Sequence, residues 1–140
     1  MGERHRMNVI VALDDRNGMM FNHRRQSRDR VMNERILALC GGTLRLNAVS
    51  AKLFEGIVSA HLTVSDRFLD EAGEDDWCFA EDTILKPYEG RIGKLVVFRW
   101  NRLYPSDRTF DLNLAEWTLV SQVDFAGSSH DRITEEVYTK

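Results

Sequence analysis

The sequence predicts a single α/β domain whose mostly parallel, twisted sheet ends in an antiparallel C-terminal hairpin. The first apolar run, residues 8–13, is uninterrupted, which is typical of a strand covered on both faces. Strand-like and helix-like segments then alternate along the chain, as in a parallel sheet with helices on its faces. The last fifty residues are rich in β-branched and aromatic residues. A length of 140 residues fits one domain.

The first forty residues predict a strand, a turn and a helix. We assign 1–6 to an N-terminal tail, native or left by cloning, and 7–140 to the domain. Turn residues 14–18 follow the first strand, and we expect Met19–Phe21 to be a loop that folds back over the site. Ser27 is the predicted N-cap of the helix, with Asp29 in its first turn. Gly41 and Gly42 end that helix.

Short segments fill the middle of the chain, and long strands close it. We predict strands at 43–46, 58–64 and 77–80, helical turns at 50–54 and 67–72, and a helix at 81–88 that Pro87 interrupts. Residues 94–100, 117–125 and 131–140 are strand-like, and the last two alternate in polarity. The loop 126–130 joins these two strands as a hairpin.

This element order is similar to that of dihydrofolate reductases, and both ends of the chain resemble that family. Residues 10–19 resemble its first strand and mobile active-site loop, and 98–110, 117 and 129–138 resemble its last three strands. Residues 77–97 align with the stretch between its fifth and sixth strands. Since the segment between Asn47 and Trp77 is about twenty residues short, the resemblance implies a truncated nucleotide subdomain that lacks one strand.

The resemblance implies a ligand pocket with one catalytic carboxylate, which Asp29 matches. If Asp29 lies in an apolar pocket, the pKa of its carboxyl group should rise, as a general acid needs. The alternative is that Asp29 is an acid at the start of the helix, paired with Arg25 or Arg28. Phe98 stands where the family has a threonine that bridges to the pterin, and Gln26–Arg28 replace its usual Pro-Trp and Leu-Pro residues. The ligand-binding residues implied are Val11, Met20, Phe21, Met32, Ser50, Phe79 and Phe98.

The cofactor residues of that family are not matched. The family binds the NADPH diphosphate on a glycine run, which here reads Ala80-Glu81-Asp82, and two carboxylates repel a diphosphate. A phosphate-binding Gly-Arg-x-Thr corresponds to residues 47–50, where the arginine is missing. We therefore expect no cofactor, with NADPH only if this altered site still binds it.

Other features suggest surfaces rather than catalysis. The basic segment 23–30 could bind a small anion through Arg24, Arg25 and Arg28, and the alternative is an ion-paired surface. Nucleic-acid binding is disfavoured because this segment lacks aromatic residues and the net charge of the chain is −3. Trp100, Arg102 and Tyr104 are interface-type residues that indicate a protein partner or self-association, with core packing as the alternative.

Several site classes are disfavoured by the sequence. The four histidines are scattered singly, so we expect no metal site. Cys40 and Cys78 lie on apolar segments and are predicted to be buried structural thiols. Ser128-Ser129-His130 is interpreted as a hairpin loop rather than part of a triad, because no oxyanion-hole motif accompanies it. No membrane span or export signal is apparent, and free thiols indicate a cytoplasmic protein.

Three functions remain open on this basis. The one we expect is a divergent dihydrofolate-reductase-like pseudoenzyme that binds a pteridine- or nucleobase-like ligand without clear reductase activity, because Asp29 is kept and the NADPH residues are not. The first alternative is a non-enzymatic protein-interaction or anion-binding module. The second is an NADPH-dependent reductase of the dihydrofolate type.

Overall fold

The computed structural model describes residues 6–57 and 60–140, so most of the predicted tail and residues 58–59 lie outside the described residues. Ten strands are present in the described part: β1 Met7–Leu13, β2 Gly18–Phe21, β3 Arg24–Arg25, β4 Thr43–Leu46, β5 His61–Val64, β6 Trp77–Phe79, β7 Ile92–Arg99, β8 Arg108–Thr109, β9 Thr118–Phe125 and β10 Ile133–Thr139. The α-helices are α1 Arg30–Leu39, α2 Ala48–Ala51 and α3 Phe68–Glu71, and 3-10 turns span Lys52–Phe54, Lys86–Arg91 and Leu114–Glu116.

Seven strands form the central sheet in the order β5-β4-β6-β1-β7-β10-β9. The five strands from β5 to β7 run parallel to their neighbours. Strand β10 is antiparallel to both β7 and β9, and a short loop joins β9 to β10. The mostly parallel sheet with an antiparallel C-terminal hairpin is therefore confirmed.

The sheet carries a hydrophobic core on each face, and β1 contributes to both. Val9, Val11 and Leu13 point to one face, where Met19 and Met20 cover them. Ile10 points to the other face and packs with residues of α1, including Met32 and Ile36. Burial on both faces explains why β1 is a continuous apolar run.

The segment Met19–Phe21, predicted to be a loop, is strand β2 of a second, three-stranded sheet with the order β3-β2-β8. Asn22 and His23 connect β2 to β3 with φ values of 52° and 60°. Two consecutive positive φ values make the type I′ turn whose twist suits a two-residue hairpin. The loop prediction was wrong because Asn22 was not recognised as a turn-forming residue.

Helix α1 begins at Arg30, and its N-cap is Asp29 rather than the predicted Ser27. The Asp29 backbone is extended, and its Oδ1 accepts a hydrogen bond from Met32 N at 3.1 Å. The predicted glycine end is confirmed: Gly41 has φ 64°, and Gly42 N donates to Leu37 O at 2.8 Å. This is a Schellman motif, which satisfies carbonyls at the end of the helix.

The helix predicted at 81–88 is absent, and a 3-10 turn at Lys86–Arg91 takes its place. Pro87 lies in the first turn, where its missing N–H has no intrahelical partner to lose. Asp111 accepts hydrogen bonds from the backbone N of Leu85 and Lys86 just before it. The proline therefore starts a helical segment rather than interrupting one.

Across residues 6–57 and 60–140, no helix is long and apolar enough to span a membrane.

Candidate functional site

Asp29 lies at the start of α1 and is only 1 % exposed. Besides Met32 N, its carboxylate accepts hydrogen bonds from Ser128 N at 3.0 Å and Ser129 N at 2.8 Å. The Nδ1 atom of His130 lies 3.0 Å from Oδ2. The carboxylate is thus surrounded by four donors, and three of them come from the loop between β9 and β10.

That loop approaches Asp29 closely because residue 127 is glycine. A β-carbon at Gly127 would overlap Asp29 Oδ2 and would lie 2.9 Å from Ile133 Cδ1. No real β-carbon tolerates these separations without movement of its neighbours. Gly127 therefore lets the loop deliver its backbone N–H groups to the carboxylate.

The hydrogen bonds decide the ionisation of Asp29. Burial by itself raises the pKa of the carboxyl, but the donors from Ser128, Ser129, His130 and Met32 outweigh burial and hold the pKa well below its usual range. The expected rise of the pKa is therefore wrong. The alternative holds in part: Asp29 is an acid at the helix start, where it caps α1, but its ionic partner is His130 rather than Arg25 or Arg28. An ionised, fully paired carboxylate is suited to orienting a partner rather than donating a proton.

His130 links Asp29 to two hydroxyl groups and was missed as a site residue. Its Nε2 lies 3.0 Å from Ser27 Oγ and 3.0 Å from Tyr104 Oη. Its ring stacks on Trp100 with centroids 4.6 Å apart. No local sequence pattern indicates this role, because Ser27 and His130 are 103 positions apart. The glycine before the two serines was the available sign that the loop packs closely against something.

A cavity of about 570 Å³ lies beside this cluster. We call it the Phe21 cavity; its lining residues are Phe21, Asn22, Arg24, Arg25, Gln26, Tyr104 and Pro105. Residues predicted separately as ligand-binding, anion-binding and interface positions thus meet at one place. Arg28 is not among them and lines a different cleft, together with Ser128 and Ser129.

The other predicted ligand-binding residues are divided between the two faces of the sheet. All six side chains are buried, with exposed fractions of 0 to 3 %: Val11, Met20, Met32, Ser50, Phe79 and Phe98. Val11 and Met20 belong to the core on one face of the sheet, whereas Met32, Phe79 and Phe98 belong to the core on the other. A pocket shared by these residues is therefore wrong, because the sheet itself separates them.

Glu81 is the centre of a buried polar network at the end of β6. Arg25 Nε and Nη2 donate to its two carboxylate oxygens, each at 2.8 Å, and Ser50 Oγ donates to Oε1 at 2.6 Å. The exposed fraction of the Glu81 side chain is 8 %. Next to it, Asp82 contacts Arg108 and His23. Arg25 is thus held by a carboxylate of the chain itself.

The predicted interface residues separate by exposure. Trp100 is only 3 % exposed and is covered by His130, so its assignment to a surface is wrong and the core alternative holds. Arg102 is exposed and Tyr104 is half-buried.

The two thiols, Cys40 and Cys78, are free and buried, as expected. The part of the chain that is described contains no cluster of three metal-ligating side chains.

Comparison with known proteins adds to the architecture. No protein-family model matches the chain, and no curated protein matches its sequence. Among solved structures, the chain is similar to the dihydrofolate reductase from Enterococcus faecalis complexed with NADP(H) and RAB-propyl, with a TM-score of 0.66. The match covers 97 % of this chain and 96 % of that one at 12 % identity. At this identity the likeness concerns the fold, and the chain has a dihydrofolate-reductase-like fold.

Proposed function

We propose that this protein binds a flat, anionic heterocycle of the pteridine or nucleobase kind in the Phe21 cavity and does not use NADPH. It would then be a divergent relative of the reductases without reductase activity. The observation that carries the proposal is the lining of the cavity, which combines an exposed aromatic ring with a guanidinium group. The volume of about 570 Å³ falls in the range of small-molecule sites.

The aromatic and cationic groups supply complementary contacts. Phe21 is 43 % exposed, so its ring is accessible to a ligand in the cavity. Tyr104 adds a second ring to the lining. Arg24 makes no ion pair among the described residues, so its guanidinium is available to a carboxylate or phosphate of the ligand. A ring stacked on Phe21 with an anionic substituent near Arg24 would use both.

Gln26 supports a polar ligand rather than a purely apolar one. Its Nε2 donates to Asp14 Oδ2 at 3.0 Å and to Pro105 O at 3.3 Å, which fixes the orientation of the amide. Its Oε1 is buried and has no hydrogen-bond partner within the described residues. A ligand N–H that reached this atom after a small side-chain movement would satisfy it.

The charges at the end of β6 do not fit a dinucleotide diphosphate. Glu81 and Asp82 are two adjacent carboxylates, and their partners Arg25 and Arg108 are already engaged. A diphosphate would have to displace Glu81 from Arg25 and would leave that carboxylate buried without its cation. The charges at this position therefore support ligand binding that does not involve NADPH.

Calorimetric titration with pteridines, folates, nucleosides and NADPH tests the proposal. We expect saturable binding of an anionic heterocycle and none of NADPH. Arg24→Ala should weaken binding by at least tenfold, since a hydrogen bond to a charged group contributes about 1.5–3 kcal/mol. Arg132→Ala, an exposed arginine outside the cavity lining, is the matched control and should bind normally. Binding that is unchanged in Arg24→Ala would refute the site, and NADPH oxidation with dihydrofolate would favour the reductase alternative.

A further inference from the structure

We infer that Ser27, His130 and Asp29 form a nucleophilic triad that hydrolyses small carboxylic esters. The side chains are connected in series: Ser27 Oγ lies 3.0 Å from His130 Nε2, and His130 Nδ1 lies 3.0 Å from Asp29 Oδ2. A hydroxyl, an imidazole and a carboxylate in this order are the parts of a serine hydrolase, whose recognition depends on geometry and not on sequence order. This activity does not depend on the proposed heterocycle ligand, although the ester would use the same Phe21 cavity.

The protons in this series are fixed by Asp29. Its ionised carboxylate can only accept, so His130 must carry its proton on Nδ1 and donate it to Asp29. In the neutral imidazole, Nε2 then has the free lone pair, and both the Ser27 and Tyr104 hydroxyl oxygens lie 3.0 Å from it. His130 is therefore in the tautomer that a general base needs to remove the proton of Ser27.

The imidazole is also held in place before any substrate arrives. Its side chain is 3 % exposed and stacks on the Trp100 ring with an interplanar angle of 29°. The orienting carboxylate is fastened by the backbone N–H groups of Ser128 and Ser129. Such preorganisation increases the effectiveness of a catalytic base because little reorganisation accompanies the reaction.

Tyr104 gives the site a hydroxyl for the developing oxyanion. Its Oη lies 3.0 Å from the same Nε2 that Ser27 contacts. One lone pair accepts one strong hydrogen bond, so when Ser27 donates to Nε2 the Tyr104 hydroxyl can donate elsewhere. Tyr104 and Gln26 line the Phe21 cavity, and Ser27, which follows Gln26 in the chain, is partly exposed beside that lining without belonging to it; an acyl or alkoxy group placed in the cavity would approach Ser27 from there.

The reaction follows from these positions. Ser27 Oγ attacks the ester carbonyl carbon while its proton moves to His130 Nε2, and Tyr104 donates a hydrogen bond to the carbonyl oxygen. The carbon–oxygen bond to the leaving group then breaks, and Nε2 returns the proton to the departing alkoxide. Water, deprotonated by Nε2 in turn, attacks the acyl carbon; the bond from that carbon to Ser27 Oγ breaks and Nε2 returns the proton to Oγ, so one ester and one water give one acid and one alcohol.

A fluorophosphonate probe tests the nucleophile on the full chain. We expect a phosphonyl adduct at Ser27 by peptide mass mapping, with release of fluoride, and hydrolysis of p-nitrophenyl acetate. Ser27→Ala should abolish both, and His130→Gln should slow labelling by about 100-fold or more, the range of a lost general base. Ser121→Ala, on the exposed strand β9, should behave as the wild type. An adduct on Tyr104, no adduct at Ser27, or equal labelling in His130→Gln would overturn the inference.

A thiol variant provides a second test, because His130→Gln also removes the stack on Trp100 and so perturbs packing together with chemistry. Ser27→Cys keeps His130 and Asp29 in place and presents a thiol to Nε2. Iodoacetamide at pH 6 should alkylate this thiol at least tenfold faster than the one introduced by Ser121→Cys, which has no adjacent base. Equal alkylation rates would show that His130 does not activate residue 27, whatever becomes of ligand binding in the cavity.

Discussion

Asp29 and His130 are 101 positions apart in the sequence, yet Asp29 Oδ2 lies 3.0 Å from His130 Nδ1. The contact joins the start of α1 to the loop that connects β9 with β10. Because Ser128 and Ser129 donate to the same carboxylate, a single side chain both caps the helix and fastens the hairpin. Changes at this carboxylate should therefore affect two elements at once.

The first prediction is that Asp29→Asn destabilises the fold. An amide replaces one acceptor oxygen with a donor and removes the charge that the loop N–H groups bind. We expect a decrease in the free energy of unfolding of about 1.5–3 kcal/mol, the range for hydrogen bonds to charged groups. Urea denaturation at pH 7 measures it. Asp131→Asn, an exposed neighbour of the same loop, is the control and should change stability by less than about 0.5 kcal/mol. Equal stability of Asp29→Asn and the wild type would contradict a stabilising role of Asp29 between α1 and the loop.

The second prediction concerns pH. The folded-state pKa of Asp29 lies below its value in the unfolded chain, which is about 3.9 for a free aspartate. Its contribution is therefore fully present above that value and is lost as the pH falls below it. The stability difference between the wild type and Asp29→Asn should be constant from pH 5 to 7 and should shrink below about pH 4. Thermal unfolding of both proteins over this range measures the difference. A stability difference that grows as the pH falls would contradict the lowered pKa of Asp29.

The third prediction is that Gly127→Ala destabilises the protein through Asp29. A β-carbon at residue 127 would overlap the carboxylate, so the loop must retreat and lose its hydrogen bonds to it. The effect should equal or exceed that of Asp29→Asn, and the two changes together should be less than additive. Gly73→Ala is the control, since its added β-carbon meets only Asp76 Oδ2 at 3.5 Å. Similar melting temperatures for the two glycine variants would show that the loop adjusts freely.

Much of the fold was predictable because its signals are local. The continuous apolar run of β1 reports burial on both faces, and the structure places β1 and β10 in the central sheet as expected. The glycines that end α1 act through backbone conformation, which is also a local property. The error at β2 came from a local turn at Asn22 that was not recognised. The error at the helix start arose where a side chain had a distant partner: the loop at 128–130 supplies the other donors to the Asp29 carboxylate.

The candidate site was only partly predictable for the same reason. Asp29 and four of the seven residues that line the Phe21 cavity were identified: Phe21, Arg24, Arg25 and Tyr104. The apolar ligand contacts, however, were assigned to one pocket although the sheet divides them between two cores. His130 could not be connected to Ser27 or Tyr104 from the sequence, because no spacing rule links residues on separate loops. Glu81 was recognised as unsuited to phosphate, but its partner Arg25 was assigned to an external anion.

The fourth prediction tests the Arg25–Glu81 pair. Glu81→Gln removes the charge that Arg25 and Ser50 contact and leaves the partly buried guanidinium without its partner. Breaking a buried pair destabilises by about 3–5 kcal/mol, and the 23 % exposure of Arg25 should place the effect at or below the lower end. Glu34→Gln breaks the exposed Arg30–Glu34 pair and should lower stability by less than about 0.5 kcal/mol. Urea denaturation compares the two variants, and losses of equal size would mean that the Glu81 network does not stabilise the fold.

The fifth prediction is that Cys40 becomes reactive through local unfolding, whereas Cys78 becomes reactive only through global unfolding. Burial raises the pKa of Cys78 to about 12, with a smaller contribution from Asp76, so almost no thiolate is present in the folded protein at pH 8. Cys78 is in β6, at 0 % exposure between β1 and β4, whereas Cys40 is 8 % exposed at the end of α1. Helix ends open more readily than central strands. With a disulfide reagent at pH 8, Cys40 should therefore react first through local fraying, and Cys78 should react only at the rate set by global unfolding. Both should react rapidly in urea, and fast reaction of Cys78 under native conditions would contradict its position in the core.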